Sequence, residues 1–198
     1  MDLGLRAPDY YLGVIAENVG QTMEKVISKS YDLMVKVKPD AVIVLDKATS
    51  CLSVTSAKCL KIPVFHMKAG NRCKDGNLPE ETNRRIVDVI SDVNMCYSEF
   101  AWKYLADTGL PKESSFYLSV GHPIAAVCIC TSTERSEALE AGDFILAGIT
   151  AQELLNATDM AIEMKQKGVL GKPCPDYVDE TVSMKVVRIV QGVRKCGQ

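Results

Sequence analysis

Short, continuous apolar runs recur along this chain, and each is followed by a stretch with helical spacing. Ala41-Val42-Ile43-Val44-Leu45, Pro63 to Met67 and Val93 to Tyr97 are the clearest. Runs of that length without alternation fit strands buried on both faces, as in a parallel sheet. Helical patterns separate them, at 53–60 and 79–91, and another at 21–37 places Val26, Leu33 and Val37 along one side. Parallel neighbours need a long crossover, which a helix supplies. The order predicts an α/β architecture, a three-layer Rossmann-like parallel sheet, with Ala41–Leu45 fully buried.

The rest of the chain continues the alternation. Residues 8–14 read as a short strand or loop, and 100–108 as a helix stopped by Gly109 and Pro111. Strands are expected at 116–120, 126–130 and 144–147, and a helix at 150–167. That helix opens with Thr150-Ala151-Gln152-Glu153, a capping box. Its stripe of Leu154, Leu155, Ala157, Met160, Ala161 and Met164 reads as core packing rather than a cofactor site. A final helix at 180–193 carries Val182, Val186, Ile189 and Val193 on one face. Both closing helices are expected to pack on the one sheet.

Composition narrows the function classes. At 198 residues the chain holds one domain, or one and a fraction. A net charge of −2 gives no reason for nucleic-acid or membrane-surface binding. No apolar run approaches the roughly 20 residues of a membrane helix. The N-terminus lacks a basic-then-apolar leader, so a cytoplasmic location is expected. The 8 cysteines form no Cys-x-x-Cys pair and the chain has only 2 histidines, which argues against a zinc site. They read as reduced, half-buried small hydrophobes rather than a disulfide framework.

The residues that carry chemistry gather after the second apolar run. His66-Met67-Lys68-Ala69-Gly70-Asn71-Arg72-Cys73 forms a polar loop, and Pro79-Glu80-Glu81-Thr82-Asn83-Arg84 starts a helix. Strand, loop and helix N-terminus are where α/β proteins build ligand sites. His66, Asn71, Arg72, Glu80, Asn83 and Arg84 offer two carboxamides, two guanidinium groups and a carboxylate to a polar, anionic ligand. Lys47 and Lys68 with Arg72 would add an anion site near that helix N-terminus. Plainer readings stand beside these. Glu80 and Arg84 would form a surface pair, Glu81 and Arg85 a solvated helix pair, and His66 a satisfied, partly buried histidine.

The same motifs resemble the signature of the non-hydrolysing UDP-N-acetylglucosamine 2-epimerases, in particular the branch that makes capsule sugars. Those proteins read His-Met-Glu-Ala-Gly-Asn-Arg-Cys and then Pro-Glu-Glu-x-Asn-Arg. Two letters of the family's acidic set differ here. Lys68 stands where the family has glutamate, and Lys47 in Asp46-Lys47-Ala48-Thr49-Ser50 stands where Gly-Asp-Thr-Asn-Ser has aspartate. Glu80 is the carboxylate that survives. The resemblance implies inversion at carbon 2 of a UDP-hexosamine, by proton abstraction coupled to loss of UDP and re-addition, without a metal or separate cofactor. It also comes in two pieces. Residues 1–123 resemble the second half of the family's N-terminal domain, and 124–198 its C-terminal end, including Thr131 to Arg135 and Pro175-Asp176-Tyr177. The family's opening strand and most of its second, nucleotide-holding domain are expected to be missing. Reduced or lost activity follows as an expectation, with a silent binding protein for a UDP-sugar or other phosphorylated small molecule as the alternative. A homodimer, or association with an intact epimerase, is the expected kind of protein partner.

Overall fold

In the computed structural model, which describes residues 6–45, 49–72, 79–111, 115–117, 126–129, 144–168 and 181–196, the apolar runs become strands. β1 (Val42–Leu45), β2 (Val64–Met67), β3 (Val93–Cys96) and β4 (Ser115–Tyr117) form one parallel sheet in that order. Val42 pairs with Val64, Phe65 with Val93, and Met95 with Phe116. Between them run α1 (Val19–Val37), α2 (Ser53–Cys59) after a 3₁₀ turn at Thr49–Leu52, α3 (Pro79–Ile90) and α4 (Glu99–Asp107). The helix starts have local causes. The Asn18 side chain accepts the Gln21 N–H at 2.9 Å, and Ser98 Oγ accepts the Ala101 N–H at 3.1 Å. Lys38 ends α1 in the left-handed region, φ 51°, and returns its N–H to Met34 O.

Two apolar layers sandwich the sheet. On one face Val44, Cys51, Val54, Ala57, Val64 and Val87 are buried together. On the other, Phe65, Val93 and Met95 lie beneath Val182, Val186, Ile189, Val190 and Val193 of the last helix, α6 (Val182–Cys196). A third cluster, Ala69, Cys96, Ala101 and Leu105, backs the loop that follows β2. Side chains as fully buried as Phe65 contribute about 1.5–3 kcal/mol each by leaving water. The heart of the sheet is therefore stable at β2 and β3, the strands that lead into the polar loop.

Residues beyond the first sheet form a second one. β5 (Ala126–Cys128) and β6 (Phe144–Leu146) are parallel, and α5 (Ala151–Gln166) packs against both. The capping box is present: Glu153 N–H donates to Thr150 Oγ1, and Thr150 N–H to Glu153 Oε2. Of the two closing helices, α6 lies on the four-stranded sheet, whereas α5 lies on the two-stranded one, which corrects the expectation that both pack on one sheet.

Two further expectations are corrected. β1 is not buried on both faces, since Ile43 is 48% exposed and Leu45 62%. Among the described residues it is an edge strand, and its Val44 face is the covered one. The α5 stripe is likewise only partly core. Ala157 is buried, but Leu155 and Met160 are 60% and 54% exposed, because a two-stranded sheet is too narrow to cover the whole stripe. Lys47, the join near 121–124, Thr131 to Arg135 and Pro175 to Tyr177 lie outside the described residues.

Candidate functional site

The site begins where β2 ends. Lys68 and Gly70 both have positive φ, 65° and 76°, and together they turn the chain back over the strand ends. Gly70 is required there. A Cβ at this position would sit 2.4 Å from the Ala101 carbonyl oxygen, with the Leu105 side chain 3.0 Å away. The turn sets Asn71 and Arg72 against α3, and both are shielded from solvent.

Asp88 on α3 anchors this turn from below. It is 1% exposed, and its two oxygens serve different partners. Oδ1 accepts the Gly70 N–H at 3.2 Å and lies 2.9 Å from His66 Nδ1; Oδ2 accepts from Arg72 Nη2 at 2.5 Å. The His66 contact is close but misses hydrogen-bond alignment, so it is an electrostatic contact rather than a bond. The main-chain oxygen of Asp88 is also engaged, accepting from Asn94 Nδ2 at 3.0 Å. His66 and Asn94 are neighbours in the β2–β3 register, and both are 1% exposed.

Two turns earlier on α3, Glu81 gathers three guanidinium groups. Arg84 Nη1 is 3.4 Å from it, Arg85 Nε 3.2 Å and Arg72 Nε 3.5 Å. The Arg72 guanidinium carbon also lies over the Tyr104 ring, 4.7 Å from its centroid. Burial by itself would lower the Arg72 pKa. The charge and hydrogen bond of Asp88, helped by Tyr104 and Glu81, outweigh it and raise the group above the usual arginine value. Arg72 is thus permanently charged and held from three sides. Beneath the loop, burial and the Asp88 charge push the Cys96 thiol up to about 12, against the opposing influence of Arg72.

The residues singled out from the sequence converge, with changed partners. His66, Asn71, Asn83 and Arg84 are all buried, Arg72 is largely so, and Lys68 and Glu80 remain partly exposed. Glu81 is not half of a solvated pair. At 2% exposure it is the hub, and its exposed partner is Arg85. Arg84 pairs with Glu81 rather than forming a surface pair with Glu80, and His66 is fully rather than partly buried. Asp88, Asn94 and Tyr104 were not legible as site residues. One signal was present: Glu81, Arg84 and Asp88 recur at spacings of three and four, one charged stripe on an otherwise amphipathic helix.

A parallel sheet whose strand ends carry a polar loop and a helix N-terminus defines a Rossmann-type α/β protein. The particular lineage follows from comparison. The family model described as UDP-N-acetylglucosamine 2-epimerase matches residues 1–125, and the chain belongs to that family. It is 31% identical over 120 residues to the UDP-2,3-diacetamido-2,3-dideoxy-D-glucuronate 2-epimerase of Pseudomonas aeruginosa, covering 60% of this chain and 34% of that protein. It is 34% identical over 116 residues to the UDP-N-acetylglucosamine 2-epimerase of Methanocaldococcus jannaschii, covering 58% of this chain and 32% of that one. The matched stretch thus spans about a third of these relatives' length.

Structural likeness reaches further along the chain than sequence likeness. The UDP-N-acetylglucosamine 2-epimerase of Rickettsia bellii aligns at a TM-score of 0.82 and 27% identity, covering 97% of this chain and 84% of its own. The Neisseria meningitidis enzyme, crystallised with UDP-GlcNAc, aligns at 0.78 and 15% identity, covering 94% and 86%. The second sheet and the closing helices therefore also follow the family's fold, a reduced form of its two-domain, glycosyltransferase-B-like arrangement. Among the described residues, no helix is long and apolar enough to cross a membrane.

Proposed function

We propose that this chain keeps the substrate-facing wall of a UDP-hexosamine 2-epimerase without its full acid–base set. In this reading it holds a UDP-sugar, or a similar phosphorylated small molecule, and turns it over slowly or not at all. Residues 1–123 supply the wall, and 124–198 are a C-terminal remnant. The setting is cytoplasmic supply of nucleotide sugars for surface polysaccharide.

The observation that carries the reading is the place of Lys68. It occupies the turn directly after β2, with φ 65°, beside Asn71 and Arg72, where the resembling motif has glutamate. Abstracting a carbon-bound proton requires a positioned base, and a carboxylate supplies it at neutral pH where an ordinary lysine is protonated. Glu80, in the first turn of α3 and partly exposed, is the one carboxylate of the set on the described site surface. Binding is better supported than chemistry. Lys68, Arg72, Arg84 and Arg85 outnumber Glu80, Glu81 and Asp88 by one positive charge, and Asp88 and Glu81 hold Arg72 in a fixed pose. Such preorganisation lowers the entropic cost of capturing a phosphate. Solved proteins of this fold from Neisseria meningitidis and Methanocaldococcus jannaschii carry UDP-GlcNAc, the latter with UDP as well.

Proton-exchange NMR on UDP-N-acetylglucosamine in heavy water tests the chemistry. No deuterium at carbon 2 at high protein concentration is expected, together with thermal stabilisation by UDP through mass action. Exchange at carbon 2 would restore the full epimerase reading, with Glu80 as base. Absence of both signals would leave neither reading standing.

A further inference from the structure

We propose that Phe100, in the exposed first turn of α4, determines specificity for the sugar end of the ligand, by packing against the apolar C–H face and N-acyl group of a hexosamine. The inference rests on the reading of this chain as a UDP-sugar binder, and adds a contact that the charged side chains cannot make.

The helix that carries Phe100 is fixed against the turn after β2. Ala101 and Leu105 are buried with Ala69, and the Ala101 carbonyl lies so close to Gly70 that no Cβ fits between them. This contact sets how α4 is rotated. Trp102 turns to one flank, where its Nε1–H donates to Ser115 O on β4 at 3.1 Å. Glu99 and Lys103 pair at 2.8 Å on the solvent side, opposite Ala101. Tyr104 turns to the other flank, where its ring meets Arg72. Phe100 precedes Tyr104 by four residues, so the two share that flank, with Cβ atoms about 5–6 Å apart. Because α4 follows directly from β3, its first turn opens at the same end of the sheet as the Lys68–Arg72 turn. A helical side chain leans toward the N-terminus of its helix, which sets the Phe100 ring beyond Tyr104, at the mouth of the site.

Exposure by itself signifies little, since single apolar side chains are common on protein surfaces. Phe100 is 58% exposed, yet its neighbour Tyr104 is half-buried beside a cation that Asp88 and Glu81 hold in place. Ligand sites combine a few fixed polar groups with apolar, often aromatic, walls. Here the cations suit a diphosphate, which gains nothing from a phenyl ring. A hexosamine does gain: one side of its ring presents C–H bonds, and its N-acyl methyl is apolar.

Calorimetric titration of the full chain with UDP and with UDP-N-acetylglucosamine tests the assignment. The wild type should bind the UDP-sugar more tightly than UDP. Phe100→Ala should weaken the UDP-sugar about tenfold and keep UDP within about twofold, whereas Phe100→Tyr should retain the wild-type pattern. The N-acetyl methyl proton signal should move upfield on binding to the wild type, through the ring current, and stay unshifted with Phe100→Ala. Unchanged affinity of Phe100→Ala for the UDP-sugar, or no upfield shift with the wild type, overturns the proposal. So does an equal loss for UDP and the UDP-sugar, which would assign the ring to uracil. A wild type that binds UDP but gains nothing from the sugar overturns the role of Phe100 and leaves nucleotide binding intact. A wild type that binds neither removes the UDP-sugar reading, and this assignment with it.

Discussion

At the scale of single residues, the candidate site rests on two buried carboxylates, Glu81 and Asp88, that hold the Lys68–Arg72 turn. Asp88 is the more consequential, because Arg72, His66 and the Gly70 amide all lean on it. Asp88→Ala removes the nearer of the two carboxylates that hold the buried Arg72 guanidinium and leaves Glu81 at 3.5 Å, which costs about 3 kcal/mol. Urea unfolding should show that loss, and a change under 1 kcal/mol would mean Arg72 relaxes to solvent at no cost. Thiol chemistry reads the same region independently. Burial and the Asp88 charge push the Cys96 pKa up to about 12, so the reactive thiolate is nearly absent at neutral pH. Alkylation of the folded chain followed by mass spectrometry should label the exposed Cys59 and spare the buried Cys96. Modification of both at equal rates would show that the loop opens. The loop residues were legible in the sequence because a strand, a polar turn and a proline-started helix have few other uses. Glu81 and Asp88 were not. A charged pair at helical spacing reads as solvated until tertiary contacts show that the loop folds over it.

At the scale of elements, two short structures depend on one residue each. The turn after β2 depends on Gly70, where a side chain would meet the Ala101 carbonyl at 2.4 Å and the backbone is left-handed at φ 76°. Gly70→Ala should lower stability by about 2–4 kcal/mol, from strain and overpacking together, as measured by thermal or urea unfolding. Retention of wild-type stability would mean that α4 can shift away. The start of α5 depends on its capping box, and Thr150→Ala should cost about 1 kcal/mol of local helix stability. The Glu153 pKa is lowered, first by its hydrogen bond with the Thr150 side chain and then by the Thr150 amide. A depressed carboxylate stabilises the fold above its unfolded pKa, near 4.3, and loses that contribution as pH falls through the folded value. Protection factors for amides in the first turn of α5, exchange rates taken relative to the unstructured chain at the same pH, should therefore fall below about pH 4.3, and the acid sensitivity should vanish in Glu153→Gln. Periodicity placed nearly every described element to within about two residues, consistent with how helix and strand ends fray. It misjudged β1 and the α5 stripe for a shared reason. An apolar run reports that a surface can be buried, whereas sheet width and edge position decide whether a partner is present.

At the scale of the whole molecule, the closing helix ties the end of the chain to its middle. Val182, Val186, Ile189, Val190 and Val193 of α6 lie over Phe65, Val93 and Met95 of β2 and β3, more than eighty residues earlier in the chain. The apolar face of α6 was visible as a spacing of three and four, but its destination was not, since no local rule names the surface a helix covers. Five partly buried aliphatic side chains at roughly 1 kcal/mol each amount to about 5 kcal/mol. That rivals the entire 5–15 kcal/mol net stability of an ordinary domain. A chain ended at residue 180 would expose Phe65 and Met95 on strands that also carry His66 and lead into the Lys68–Arg72 turn. It should bind a hydrophobic dye, unfold without a sharp transition, and lose the slow amide exchange of Phe65 and Val93. Ile189→Asp, which buries a charge in the same layer while keeping the helix, should act in the same direction with a smaller loss. If the shortened chain unfolded as cooperatively as the full one, α6 would be a passive cover. The four-stranded sheet would then have to be stable on its other layer alone, around Val54, Ala57, Val64 and Val87.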